Sequence, residues 1–152
     1  MTLLFAFLMG FFAGLRSLMA PAITAWATQV GWLRLERPLS LIGSTPSVVI
    51  LTVLAIGELV VDKLPKTGSR TSPPGLIARI LTGGLTGACI AVNGAQRALL
   101  GAVLGAAGGV VGCFMGYRAR TGLVKALGAP DIYIALFEDL VAVAGCLWIV
   151  SR

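Results

Sequence analysis

Gly10-Phe-Phe-Ala-Gly14-Leu-Arg16 and Gly112-Cys-Phe-Met-Gly116-Tyr-Arg118 repeat one pattern, Gly-x-x-x-Gly-x-Arg, at or near the end of a long apolar run. An arginine that close to hydrocarbon costs about 2.5 kcal/mol or more unless it is paired or reaches the interface. Two of them in matching contexts point to a duplicated working part.

Outward from these motifs, the composition fixes the class. Hydrophobic residues make up 57% of the 152 positions and charged residues 12%, with 20 glycines and no histidine. This is the balance of a single integral membrane domain over 1–152. The net charge of +6 sits between apolar spans, where basic residues set orientation and meet anionic lipid headgroups, so nucleic acid is not an expected partner. Cys89, Cys113 and Cys146 lie inside apolar runs without a CxxC pattern or histidine, which reads as small buried thiols, with no metal or cofactor implied. The apolar run at the N-terminus lacks a preceding basic segment and reads as a retained span.

Five stretches are long and apolar enough to cross a bilayer, roughly 2–20, 46–62, 75–93, 98–117 and 131–150, given that about 20 helical residues are needed. They must be helices, because unpaired backbone is expensive in lipid and barrel-type alternation is absent. Pro21 predicts a break in the first span between Arg16 and Pro21, with a short second helix after it. Pro73 and Pro74 are placed to start the third span. Counting basic residues between spans puts Lys63, Lys66, Arg70, Arg79, Arg118, Arg120 and Lys125 inside. The N-terminus is then cytoplasmic and the C-terminus outside, in the inner membrane of a bacterium. Trp26, Trp32, Trp148, Tyr117 and Tyr133 read as an interfacial belt.

The repeated motif organises the five spans as two plus one plus two. Repeat A covers about 2–64, a linking span about 75–93, and repeat B about 98–151; Ala55-Ile-Gly-Glu58 is echoed by Ala135-Leu-Phe-Glu138. One unmatched span between the halves makes them an inverted-topology repeat, the plan of many transporters. Gly101, Gly105, Gly108, Gly109, Gly112 and Gly116 form a small-residue seam for close helix packing, against Gly10 and Gly14 or against a second copy in a homodimer.

Charges within the spans supply the candidate site. Glu58 and Asp62 are four apart and share a helix face, and Glu138 is the corresponding carboxylate of the second half. Arg16 beside a broken helix makes an anion site from a guanidinium and free amides. Arg118 is its counterpart, or a lipid-headgroup anchor. The loop Lys66-Thr-Gly-Ser-Arg70-Thr-Ser72 combines cations and hydroxyls ahead of a helix N-terminus, which suits phosphate. The expected function is transport or channel-like permeation of a small anionic solute or lipid-phosphate headgroup. Arg16, Arg70 and Arg118 would bind the anion, with Glu58, Asp62 and Glu138 as titrating or gating partners. A membrane scaffold using the glycine-rich helix is the alternative; without histidine, an enzyme is disfavoured.

The strings Gly14-Leu-Arg-Ser17, Glu58-Leu-Val-Val-Asp62-Lys-Leu-Pro65 and Arg70-Thr-Ser-Pro-Pro74 through Arg79, followed by a glycine-rich fourth span, resemble a family of small bacterial membrane proteins known only as a domain of unknown function. The resemblance covers nearly the whole chain and implies no activity.

Overall fold

The first apolar run is helical only as far as Leu15. In the computed structural model, which describes residues 1–62, 72–128 and 130–152, α1 spans Thr2–Leu15 and Arg16 turns to an extended conformation (φ −138°, ψ 109°). The chain resumes as α2, Met19–Gln29, so the break falls at residues 16–18 and Pro21 sits in the first turn of α2, where its missing amide hydrogen costs nothing. A 3-10 turn, Leu39–Gly43, precedes α3, Thr45–Val61. Then come α4 (Pro73–Asn93), α5 (Ala98–Leu127) and α6 (Asp131–Val150). Proline at the start of α3 and α4 supplies a preset φ, and Gly128 ends α5 in the left-handed region at φ +59°, with its amide donating to the Val124 carbonyl.

No strand is present among the described residues. Among the described residues three helices, α4, α5 and α6, are long and apolar enough to cross a bilayer, while α1 and α3 are apolar but shorter. This is an α-helical membrane protein, and the apolar side chains exposed along α3, α5 and α6 are the surface that such a bundle presents to lipid.

The core is backbone against backbone. A Cβ on Gly10 or Gly83 would collide with the Gly105 carbonyl, and one on Gly87 with that of Gly101. On the neighbouring face of α5, Gly108 meets the Phe7 carbonyl, Gly112 the Phe11 carbonyl and Gly116 the Leu15 side chain. The glycines of α5 therefore form two seams, one taking α4 and one taking α1, and both are consumed within the chain. Dispersion over such close contact is what holds helices together where water exclusion is not available.

Those contacts also fix direction. Positions 7, 11 and 15 ascend with 108, 112 and 116, so α1 and α5 run parallel. The reason is α2, which folds back beside α1. Trp26 Nε1 donates to Thr52 Oγ1 at 3.0 Å, and the Arg34 amide to Asn93 Oδ1 at 2.8 Å. Gly94, next to Asn93, abuts Thr2. A first span that crosses once would leave three reversals before α5 and hence an inverted pair; the hairpin adds a fourth and makes the two glycine motifs co-directional. The inverted relation expected from sequence is thus not the one these two helices have. For the same reason the termini are not at opposite ends: Phe5 and Trp148 stack edge to face with ring centroids 5.5 Å apart.

Candidate functional site

The two helix ends at the break leave backbone groups that lipid cannot satisfy. Charged side chains from other helices satisfy them. The Glu58 carboxylate, late in α3, caps α2: Oε1 accepts from the Ser17 amide at 2.9 Å and Ser17 Oγ at 2.6 Å, and Oε2 from the Leu18 amide at 2.8 Å. Arg79, early in α4, caps α1: Nε donates to the Gly14 carbonyl at 2.9 Å and Nη1 to the Gly75 carbonyl at 2.9 Å. Anion at a helix N-terminus and cation at a C-terminus are the signs the helix dipoles favour. The amides expected to bind a solute anion beside Arg16 are therefore already taken by Glu58, whose role in this geometry is capping.

Arg16 is the centre of the remaining charges. Its side chain is 1% exposed, Nε donates to Asp139 Oδ1 at 2.5 Å, and Nη1 pairs with Asp62. Its third nitrogen, Nη2, has no hydrogen-bond partner among the described residues. Asp62 Oδ2 also takes Arg120 Nη1 at 3.3 Å, and Arg120 grips Asp131 with Nε to Oδ1 at 2.7 Å and Nη2 to Oδ2 at 2.5 Å. Glu138 Oε2 lies 4.0 Å from Arg120 Nη1. The pairs form a ladder, Asp139–Arg16–Asp62–Arg120–Asp131, running from the buried break to a carboxylate that is 57% exposed. Of the six acidic residues in the chain, all but Glu36 take part at this end. With a rise of about 1.5 Å per residue, the 14 residues of α1 set Arg16 about 20 Å along the bundle from Thr2.

Sequence expectation and geometry meet at Arg16, Glu58, Asp62 and Glu138, which converge. Arg118 does not join them: it is exposed, and Arg120 takes the place assigned to it. Gly112 and Gly116 point inward; a residue two beyond Gly116 is about 200° round the helix, whereas one four beyond returns to the same face. Arg70 and the rest of 63–71 lie outside the described residues. Asp139, Arg79 and Ser17 were not among the expected site residues, although the pattern held the signal for two of them. Ala135, Asp139, Ala142 and Cys146 form one buried stripe of α6, and Arg79, Gly83 and Gly87 one of α4.

Beside the ladder, a cleft of about 240 Å³ opens between α5 and α6. Phe11 and Leu15 floor it, Met115 and Phe137 are among its walls, and Arg120 and Glu138 are its charged members. Among the described residues no group of three His, Cys, Asp or Glu side chains could hold a metal ion, and Cys89, Cys113 and Cys146 are buried.

A family model described as a domain of unknown function, DUF4126, matches residues 3–151. The chain belongs to that family. No curated protein and no solved structure matches it.

Proposed function

We propose that this member of the DUF4126 family is a small transporter or channel-like protein for an anionic solute or the phosphate headgroup of a lipid, and that the Arg16–Asp62–Arg120 ladder handles the charge. The observation that carries the reading is Arg16: a guanidinium withdrawn from solvent at the tip of a re-entrant helical hairpin, with one nitrogen unpartnered among the described residues. Broken helices at membrane depth are tolerated where they are buried in protein or line a path, and an intramembrane charge is a functional candidate by default. Asp62 is shared between two arginines, so an incoming anion that takes one guanidinium leaves Asp62 on the other without stranding it. That exchange is the step we assign to Asp62, with Glu138 as the neighbouring carboxylate.

The scaffold alternative draws no support from the glycine-rich helix, because both of its seams are spent on α1 and α4 of the same chain. Co-directional Gly-x-x-x-Gly helices support a duplicated packing unit in place of an inverted repeat. For orientation we place the break end in the cytoplasm. The connection between Asp62 and Ser72 carries Lys63, Lys66 and Arg70 in its sequence, and Arg79, Arg118, Arg120 and Lys125 belong to the same end, against Arg34, Arg37, Arg97 and Arg152 at the other. Because α2 returns to the terminus end, this puts both termini outside, where the single-crossing first span would put the N-terminus inside.

The test is flux in liposomes holding purified protein, with entrapped phosphate and, separately, a fluorescent anionic lipid as probes. Flux above protein-free vesicles, lost in Asp62→Asn and in Arg16→Lys that still purify as folded protein, is the expected result. No flux of either probe, or wild-type flux in both variants, overturns the reading.

A further inference from the structure

We infer that the α5–α6 cleft seats one anionic phospholipid, its phosphate gripped by Arg120 in the fork that Asp131 fills in this structure, and its acyl chain laid against Phe11, Leu15, Met115 and Phe137. The inference deepens the transport reading and rests on it for a purpose, but not for its evidence.

Three observations converge. First, α5 packs on α1 and α4 far more than on α6, which leaves the slot between α5 and α6 walled by apolar side chains; Met115, Leu123 and Phe137 are themselves exposed. Gly116 and Ala119 keep the α5 wall low. A slot of that composition opening on lipid is filled by a hydrocarbon chain.

Second, the slot has one polar pole. Arg120 and Glu138 lie together at the α5–α6 contact nearest the break end, and Arg118 and Lys125 add positive charge to the same stretch of α5. A zwitterionic headgroup brings a cation that Arg120 repels, whereas a net negative one pairs with Arg120 alone, Arg118 and Lys125 lying round the helix from the cleft and adding only long-range attraction. Glu138 opposes it, which confines the phosphate to the Asp131 side of the guanidinium.

Third, the grip on Asp131 is two parallel N–H to O bonds of 2.7 Å and 2.5 Å. This is the arrangement a guanidinium makes equally with carboxylate and with phosphate. Asp131 is the first residue of α6 and more than half exposed, so the pair is held at a water-facing position where such bonds are weak and exchangeable. Arg120 keeps Asp62 when Asp131 leaves. Asp131 thus acts as an internal stand-in for the headgroup.

Native mass spectrometry of the purified protein with added phosphatidylglycerol, phosphatidylcholine or inorganic phosphate tests this. Wild type is expected to retain phosphatidylglycerol over phosphatidylcholine. Asp131→Asn should raise retention of phosphatidylglycerol several-fold by removing the competitor, Arg120→Gln should lower it about tenfold by removing the paired charge-assisted bonds, and Ala119→Trp should lower it by filling the slot. Millimolar inorganic phosphate should not displace the lipid, because it lacks a chain. Equal retention of the two lipids, or no change in Asp131→Asn, overturns the inference; displacement by inorganic phosphate overturns the lipid as occupant in favour of a free anion. Asp131→Asn leaves the Arg16–Asp62–Arg120 contacts in place, so a folding failure of Arg120→Gln does not remove the test. Retention lost while liposome flux persists sinks this inference alone; retention without flux sinks the transport reading alone.

Discussion

Arg16 and Asp139 stand 123 residues apart in the chain and meet at 2.5 Å, Nε to Oδ1, tying the tip of the first hairpin to the last helix. A buried pair of this kind does not by itself add stability, because desolvation offsets most of the attraction. Removing one member is another matter. Arg16→Ala leaves Asp62 and Asp139 facing a lost cation and is expected to cost about 3–5 kcal/mol, read as a fall in the unfolding midpoint in detergent. The double variant Arg16→Met with Asp139→Leu should be more stable than Arg16→Ala. Losses that simply add would show that the two side chains are not coupled.

Glu58 is expected to matter through the backbone it caps. Glu58→Ala strands the amides of Ser17 and Leu18, at about 1–3 kcal/mol for each buried donor left unmade. Glu58→Gln keeps one carbonyl acceptor and should recover part of that loss, and Ser17→Ala, which removes only a hydroxyl donor, should cost the least of the three. Thermal unfolding of the purified variants orders them. If Glu58→Gln and Glu58→Ala unfold together with wild type, the cap is not a stabilising contact.

How much of this was legible beforehand depends on the period of each signal. Helical class and a break of the first span between Arg16 and Pro21 follow from local spacing, and both are found. The return of α2 is not local. Its 11 residues are moderately apolar whether the chain goes on across the bilayer or turns back, and only the contacts of Trp26 and Arg34 decide. That one turn reverses the relation of the two glycine motifs. The misplaced arginine has a simpler cause. Arg16 and Arg118 are alike in sequence, but α1 ends at Leu15, so Arg16 leaves the helical phase and turns inward, while α5 runs on and keeps Arg118 outside.

The glycines divide into two kinds, and substitution should separate them. Gly105→Ala puts a methyl into the Gly83 carbonyl and forces α4 and α5 apart; overpacking of that type costs about 1–3 kcal/mol. Gly57 and Gly122 have nothing within 4 Å of an added Cβ. Gly57→Ala and Gly122→Ala, inside helices with open space around the new methyl, should be no less stable than wild type and up to about 1 kcal/mol more stable. A Gly105→Ala protein that unfolds no earlier than Gly122→Ala would mean that the seam is looser than its backbone contacts require.

The hairpin makes a prediction about sidedness that no single-crossing first span shares. The ring contact of Phe5 with Trp148 and the abutment of Gly94 on Thr2 put residues 2, 94 and 151 at one end, with Lys125 at the other end of α5. In a background with Cys89, Cys113 and Cys146 replaced by serine or alanine, Thr2→Cys, Gln96→Cys and Ser151→Cys should react with a membrane-impermeant thiol reagent from the same face of oriented vesicles, and Lys125→Cys from the opposite face. A chain that crossed fully in its first 20 residues would expose Thr2→Cys on the face of Lys125→Cys, away from Ser151→Cys. Such labelling would mean that α2 continues through the bilayer, that Ser17 and Leu18 are not at a hairpin tip, and that the charged ladder stands on a different backbone. Labelling of Thr2→Cys together with Ser151→Cys keeps Arg16 at the turn of a re-entrant pair, where its buried charge has a reason to be.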